Sequence, residues 1–430
     1  MQPAAIVILL VLAILLIVLP RKYIIAPIMI CVCYMNSSPG LIIGPAHLPP
    51  IRMLILLSLI RETIRGQIKP RWNKLDQAFF FYSVWIALAY YLREQTFVAF
   101  NFLIGTAIDV TGGYTLARIC ISTQEDILFY LKTYAFIMIP FAVEMLIEQS
   151  KHFCIFSYVG APVTSYIRNG RYRAYGTFSP IISGTFGAIG AILTIPLAII
   201  SSKSKVTYFI AVFAGVVITF AGATSGAIMT LFYGLIALGC WYIRFQMKYI
   251  RIAAVFMIII LSLFMKAPIW YLIAKISDVL GGTGYHRAKI IDQAIRYFGE
   301  WWLCGISKTG YWMPYELGDG NADITNQFLM QGVNGGIVPM ILYILIVVRA
   351  FKFIGIGMKN AQVLSNKEQL IIWGLGCTLF GHVATFFNVS YYNGFRVLFN
   401  IHLAVICLLS LPIPNKDPLL HSDNQQEEPI

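Results

Sequence analysis

Three groups of residues in this chain have types and spacing suited to chemistry. The first is Arg168-Asn-Gly-Arg171-Tyr-Arg173, close ahead of an apolar stretch that opens at Pro180. Guanidinium groups grip phosphate oxygens two at a time and keep their charge when partly desolvated, so this run suits a phosphorylated substrate or lipid headgroups. The second is Gly281-Gly-Thr-Gly-Tyr-His286-Arg287-Ala-Lys289-Ile-Ile-Asp292-Gln-Ala-Ile-Arg296. From His286 onward its spacing predicts a helix with Ile290, Ile291, Ala294 and Ile295 on one apolar face and Arg287 and Lys289 elsewhere on the surface. An amphipathic surface helix without chemistry is the competing use of that pattern. The third is a polar island, Asn321-Ala-Asp323-Ile-Thr325-Asn326-Gln327, set against a long apolar helix and the Gly335-Gly336 pair. Asp319-Gly-Asn321-Ala-Asp323 begins like a calcium loop, but Ile324 stands where the turn glycine belongs and Met330 where the closing glutamate belongs, so no calcium site is expected.

The elements around these residues are those of a membrane protein. Of 430 residues, 58% are hydrophobic and 12% charged, about half the charge of a soluble protein. Apolar runs of spanning length recur and the short alternating segments of a membrane β-barrel do not, which predicts an all-α, polytopic transmembrane bundle. Hydropathy places about 12–13 spans, near 4–20, 23–36, 41–60, 76–93, 97–119, 127–147, 180–200, 205–222, 225–243, 250–266, 328–349, 370–390 and 396–413. The second is short, and Pro45, Pro49 and Pro50 break the third. Arg21-Lys22 follow the first apolar run rather than precede it, so that run reads as a span and not as a cleavable signal. Gly184, Gly187 and Gly190 form a small-residue stripe suited to close helix packing.

Basic residues set the expected orientation. Arg61, Arg65, Lys69, Arg71 and Lys74 crowd one loop, and Lys203/Lys205, Arg244/Lys248/Arg251 and Arg349/Lys352/Lys359/Lys367 crowd three more. Threading the spans puts all of these on one side, which is then cytoplasmic. The formal charge of +13 is therefore mostly a topology signal, and no basic face with interleaved aromatics suggests nucleic acid. The expected organisation is an N-terminal bundle over 1–266 with an external loop at 148–179, a large external loop over 267–327 carrying short helices, C-terminal spans over 328–413 and a disordered cytoplasmic tail over 414–430. Both external loops carry cations on the side where few are tolerated, which demands a reason. Of the eight cysteines, Cys154 and Cys304 alone fall in external loops, where an oxidising compartment permits a pair without requiring one. No Cys/His cluster suggests a metal.

Three places in the chain carry a resemblance. Arg173-Ala-Tyr-Gly176-Thr-Phe-Ser-Pro180 is similar to the Arg-x-x-Gly-(Thr/Pro)-Phe-x-(Asn/His)-Pro that the O-antigen ligase and O-antigen polymerase superfamily of bacterial membrane glycosyltransferases carries ahead of a span. Thr224-Ser225-Gly226 stands where that family often has Ser-Arg-Gly or Ser-Ser-Gly. Arg287, its helix, Thr325-Asn326 and then Gly336 follow the family's order of an arginine, a His-Asn pair and a glycine. The resemblance covers roughly residues 100–410, in which each motif alone is weak and their order and shared membrane side are the specific part. It departs at Thr325, which stands where the ligases carry the histidine that activates the acceptor hydroxyl, and at Pro339. A threonine hydroxyl takes no proton at neutral pH. The replacement base then comes from Asp323, Asp319, Glu316 or His286, with Asp323 favoured, and the departure leans toward a polymerase or a divergent branch.

The resemblance implies a metal-independent, cofactor-free glycosyltransferase at the external face of the bacterial cytoplasmic (inner) membrane, with its C-terminus cytoplasmic. Its donor is a glycan on a polyprenyl (undecaprenyl) diphosphate, its acceptor a glycan or lipid, and its surroundings are membrane lipids and envelope polysaccharide assembly proteins. Arg171 or Arg173, with Arg287 and Lys289, hold the diphosphate; Asp323, Thr325 and Asn326 form the catalytic group. A transporter or flippase of lipid-linked glycans is the alternative, and it predicts ionisable residues inside the spans, of which Asp109, Glu144 and His382 are the nearest candidates. A non-catalytic assembly subunit is the third reading, disfavoured because unpaired arginines are costly without an anion.

Overall fold

The computed structural model describes residues 1–44, 46–66, 72–96, 101, 104–168, 170–278, 284–313, 321–363 and 365–410. Glu316, Asp319, Lys69, Arg71 and the 414–430 tail lie outside the described residues. Helix accounts for 78% of the structure, so the two short hairpins, Leu41–Ile43 with Ala46–Leu48 and Ile167–Arg168 with Arg171–Tyr172, are the exceptions to explain. Among the described residues, five helical segments are long and apolar enough to cross a membrane: Gln124–Lys151, Pro180–Ile200, Ser225–Phe264, Ile337–Asn360 and Asn366–Phe386. The shorter apolar helices Pro3–Val18, Lys205–Ala221 and Asn393–Leu408 pack among them.

The two ends of the bundle differ in chemistry. At one end Arg21 donates to the Ile119 carbonyl, Arg61 to that of Leu19 and Arg349 to that of Lys74, while Arg118 Nε meets Asp76 Oδ1 at 2.9 Å. Capping boxes built on Asn73/Asp76 and Thr123/Asp126 start helices there, satisfying orphan N–H groups with their own side chains. Helix Lys74–Glu94 runs from this basic end to the other, where Arg93 Nη1 donates to the Asn334 carbonyl at 3.1 Å and Glu94 takes the Ser307 hydroxyl.

Pro180–Ile200 is the most enclosed of the five segments, and its glycines explain how. A Cβ on Gly187 would lie 2.5 Å from the Gly215 carbonyl oxygen, and one on Gly215 would lie 2.7 Å from that of Gly187. The backbones of Pro180–Ile200 and Lys205–Ala221 therefore touch directly, as expected of the small-residue stripe. Ser225–Phe264 is 40 residues long and would span about 60 Å if straight. Instead its start lies beside Arg287 and the segment just after its end is bonded to Asp292, five residues further along the Arg287 helix. The run folds back through the 3₁₀ segment Cys240–Gln246, where Ile243 leaves helical geometry. The two spans expected over 225–243 and 250–266 are thus separate arms, and the second, Met247–Phe264, has no buried residue.

Three expected spans are redrawn. The stretch 41–60 is not one helix: a hairpin occupies Leu41–Leu48 and a helix begins only at Pro50, because proline fits a first helical turn but not a helix interior. Ile25–Tyr34 has 10 residues, about 15 Å of helix, too short to cross a hydrocarbon core. The span expected over 97–119, part of it outside the described residues, is helical without interruption over 104–120, with a π segment at Ile108–Gly112 inside it. The span expected at 328–349 is two helices, Gln327–Gly335 and Ile337–Asn360, parted by Gly336 at φ 88°. A Cβ there would lie 2.3 Å from the Leu303 carbonyl oxygen, so only glycine admits that strand of backbone.

Gly187→Ala is expected to cost about 1–3 kcal/mol by overpacking and to lower the detergent-solubilised unfolding temperature by several degrees. Gly239→Ala, where a Cβ meets nothing within 4 Å, is expected to leave it unchanged. Equal unfolding temperatures for the two variants would refute the direct backbone contact.

Candidate functional site

A buried carboxylate organises the arginine-bearing loop. Glu148, fully buried near the end of helix Gln124–Lys151, accepts from Tyr175 N at 2.7 Å and Gly176 N at 2.9 Å, and from the Tyr172 hydroxyl at 3.3 Å. Gln149 Nε2 donates to the Tyr172 and Ala221 carbonyls at 3.0 and 2.7 Å. Gly176 sits at φ 61°, and a side chain there would strike Phe141 and Ser183. Residues 172–176 are therefore held on both sides, which fixes where Arg173 leaves the backbone. The hairpin Ile167–Arg168/Arg171–Tyr172 brings Tyr166 back over Arg173. Arg173 Nη1 donates to the Tyr166 hydroxyl at 2.7 Å, and the guanidinium lies 5.2 Å from that ring's centre.

Arg173 is 4% exposed and Arg287 is 7% exposed, from loops more than a hundred residues apart. Neither makes an ion pair among the described residues, and Arg287 Nε has no hydrogen-bond partner. Burial pushes both guanidinium pKa values down, and the charge of Arg168 pushes both further; Asp323 acts in the opposite sense on Arg287. Arg287 was expected on the surface of its helix, yet it is buried, and Ile295, expected on the apolar face, is 56% exposed. The reason is a small second core: Ile290 and Ala294 pack with Trp301, Trp312, Ile324, Leu329 and Val333. Asp292 accepts from Trp270 Nε1 at 2.7 Å and from the Tyr271 hydroxyl. Together these turn helix Gly284–Arg296 so that Arg287 faces inward.

The island residues divide by job. Asn326 is the N-cap of helix Gln327–Gly335, its Oδ1 accepting from Phe328 N at 3.0 Å and Leu329 N at 3.1 Å, so its side-chain oxygen is committed to architecture. Gln327 pins a different segment: its Oε1 accepts from Tyr391 N at 2.6 Å and its Nε2 donates to the Tyr343 hydroxyl at 3.2 Å. Asp323 is exposed; its carbonyl takes Thr325 N at 2.9 Å and lies 3.1 Å from His286 Nε2. Its carboxylate is within electrostatic reach of Arg287 and Tyr392, and the hydroxyl of Tyr392 lies beside Ser179 and near Tyr166 and Tyr175. The Thr325 and Thr224 hydroxyls are buried without a hydrogen-bond partner. Gly226 lines the same place, since a Cβ on it would stand 3.9 Å from Arg287 Nη2 and 3.5 Å from Asn388 Cβ.

The structure thus gathers Arg173, Arg287, Asp323 and Thr325 at one end of the bundle, with Thr224–Gly226 as a wall. Arg171 is exposed on the hairpin and Lys289 is half-buried, and neither makes a hydrogen bond or ion pair among the described residues. The sequence reading passed over Glu148, Tyr166, Asn388 and Tyr392, and gave Arg168 no role of its own. Arg168 was legible as one of three clustered cations; the others needed the fold. Cys154 and Cys304 are not paired: both are free. Cys154 is fully buried with Sγ 3.4 Å from the Gly176 carbonyl, and burial pushes its thiol pKa up, keeping it protonated. Glu144, Glu148 and Cys154 bring ligand-type atoms within 4.8 Å of one another, but both oxygens of Glu148 already accept backbone N–H groups, which is the role of a loop cap.

Buried guanidiniums without ion pairs among the described residues, with an exposed carboxylate in reach of one of them, have the chemistry to receive an anion. Pyrophosphate is expected to raise the unfolding temperature of the wild type by several degrees at saturation, and Arg287→Met to abolish that shift without lowering the ligand-free value, since it removes an uncompensated buried charge. An equal pyrophosphate shift in both proteins would exclude Arg287 from the anion site.

No model of a known protein family matches this sequence, and no curated protein matches it, so the functional argument rests on the residues themselves.

Proposed function

We propose that this protein is a polytopic membrane glycosyltransferase in a bacterial cytoplasmic membrane, acting at the external face with its C-terminus inside. In this reading it polymerises or ligates a glycan delivered on polyprenyl diphosphate, as the resemblance to the O-antigen ligase and polymerase superfamily implies. The observation that carries it is the pair Arg173 and Arg287, both buried without an ion pair among the described residues, with Asp323 in electrostatic reach of Arg287. Buried cations without counter-ions are costly unless the ligand brings the negative charge, and a diphosphate brings it in the geometry that guanidinium groups match.

The chemistry follows from charge. The acceptor hydroxyl attacks the anomeric carbon, the bond from that carbon to the diphosphate oxygen breaks, and the electron pair leaves with the diphosphate. Arg173 and Arg287, with Arg168 adding to the field, offset charge as it grows on the leaving oxygen. Asp323 accepts the proton of the attacking hydroxyl, with inversion at the anomeric carbon. The Thr325 hydroxyl supplies a hydrogen bond to substrate, and Asn326 holds the helix against which the island is built.

A flippase is the second reading, favoured by the Arg52–Asp109 ion pair at 2.7 Å beside an internal cavity. A product assay in cells lacking the chain separates the two. Arg173→Ala and Arg287→Ala are expected to reduce transferred glycan at least about 100-fold at normal membrane levels, with outward-facing lipid-linked repeats accumulating. Asp323→Asn is expected to do the same and Thr325→Ala to cost about tenfold. Accumulation of repeats facing the cytoplasm would instead establish transport.

A further inference from the structure

Tyr392 belongs to two places at once. Its hydroxyl lies beside Ser179 and near Asp323, and its side chain also lines a cavity of about 500 Å³ that reaches into the bundle, a size typical of small-ligand sites. The far walls come from Arg52, Asp109, Tyr82, Gln331 and Arg396. This cavity is separate from the arginine cluster in every residue except the Tyr391–Tyr392 segment that joins them.

Its wall mixes apolar side chains, among them Ile51, Ile86, Val110 and Met330, with polar groups that are almost entirely satisfied. Arg52 Nε and Nη2 donate to Asp109 Oδ1 and Oδ2 at 3.0 and 2.7 Å, and Arg52 Nη1 donates to the His47 carbonyl at 2.6 Å. That pair is rigid and electrically neutral. Tyr82 donates its hydroxyl to Gln331 Oε1 at 2.6 Å, and Gln331 Nε2 donates to the Gln327 carbonyl at 3.1 Å. Arg396 is the exception: its Nε is buried without a partner, and it makes no hydrogen bond or ion pair among the described residues. One uncompensated positive charge therefore faces a chamber whose other walls are a closed ion pair, hydroxyls, amides, tyrosine rings and aliphatic side chains.

We propose that this cavity is the acceptor site of the enzyme and that it selects a sugar residue carrying one negatively charged substituent, a carboxylate or a phosphate, bound by Arg396. The proposal rests on the glycosyltransferase reading above. The tyrosine rings offer flat apolar faces for a pyranose, the hydroxyls and amides meet its hydroxyl groups, and Arg396 meets the charge. A sugar so seated extends past Tyr392 toward Asp323, the proton acceptor. A neutral sugar would leave Arg396 buried and unpaired, the penalty from which such a site derives its discrimination.

The test uses purified full-length protein in detergent and three probes: methyl β-D-glucuronide, glucose 6-phosphate and methyl β-D-glucoside. At least one of the two charged sugars is expected to bind at least about tenfold more tightly than the neutral glycoside, and the better of the two identifies the substituent. Arg396→Gln is expected to remove that preference while leaving the pyrophosphate shift intact, and Arg396→Lys to retain part of it. Unchanged unfolding temperatures for both variants exclude misfolding as the cause. Equal binding of all three probes, or a preference that depends on Arg287 rather than Arg396, overturns the acceptor-site proposal and leaves the donor site standing if pyrophosphate still binds through Arg287. Charged-sugar binding through Arg396 with no pyrophosphate binding to the wild type overturns the donor reading, and the cavity is then an acidic-sugar site of another kind of protein.

Discussion

The arginine loop at the site end of this molecule hangs on a carboxylate, Glu148, whose hydrogen bonds are to the loop itself. Glu148 takes the N–H groups of Tyr175 and Gly176, and without those two bonds the loop has no reason to bring Arg173 inward. A buried carboxylate with saturated lone pairs behaves as a fixed anchor. It lies on a long, well-packed helix, so the loop inherits rigidity from the bundle. The opposing arginine is fixed differently, by the small apolar core under helix Gly284–Arg296 and by the Asp292 clamp. Two unrelated supports, one polar and one apolar, thus aim two cations at one place.

That arrangement stores electrostatic tension. Arg168 repels both Arg173 and Arg287, and burial denies those two the water that would screen them. Only Asp323 offsets the charge locally. The ligand-free protein tolerates this because Tyr166 hydrogen-bonds Arg173 and presents the face of its ring to the guanidinium. Arg287 has less help.

The membrane-type helices were legible from hydropathy because apolar length is a local property. So was the glycine stripe, since helical spacing puts Gly184 and Gly187 on one face whatever lies opposite. What failed was also local in origin. Proline breaks were read as irregularities within a span at 41–60, when the chain there turns back on itself as a hairpin before Pro50. The span expected over 328–349 ran straight through Gly336, whose positive φ divides two helices around the Leu303 backbone. Of the site, the charged residues could be nominated by type, and Arg173, Arg287 and Asp323 do converge. Asn326 could not be separated from them, because an amide that caps and an amide that binds look alike until the N–H groups it accepts are known. Glu148 and Tyr392 act through partners distant in sequence, and no spacing rule points to either.

Helix Met247–Phe264 stands apart from these constraints. Its neighbours bury none of its residues, so no shape complementarity disciplines the run Val255-Phe-Met-Ile-Ile-Ile260. In terms of information, this stretch specifies composition without pattern: any apolar side chain satisfies it, and their order carries no meaning. Substitutions should therefore drift freely there among Ile, Leu, Val and Phe, while elsewhere in the bundle Gly187 and Gly215 have no room for a larger side chain without a shift. The same chain thus carries two codes side by side, one written in volume to the ångström and one in oiliness alone.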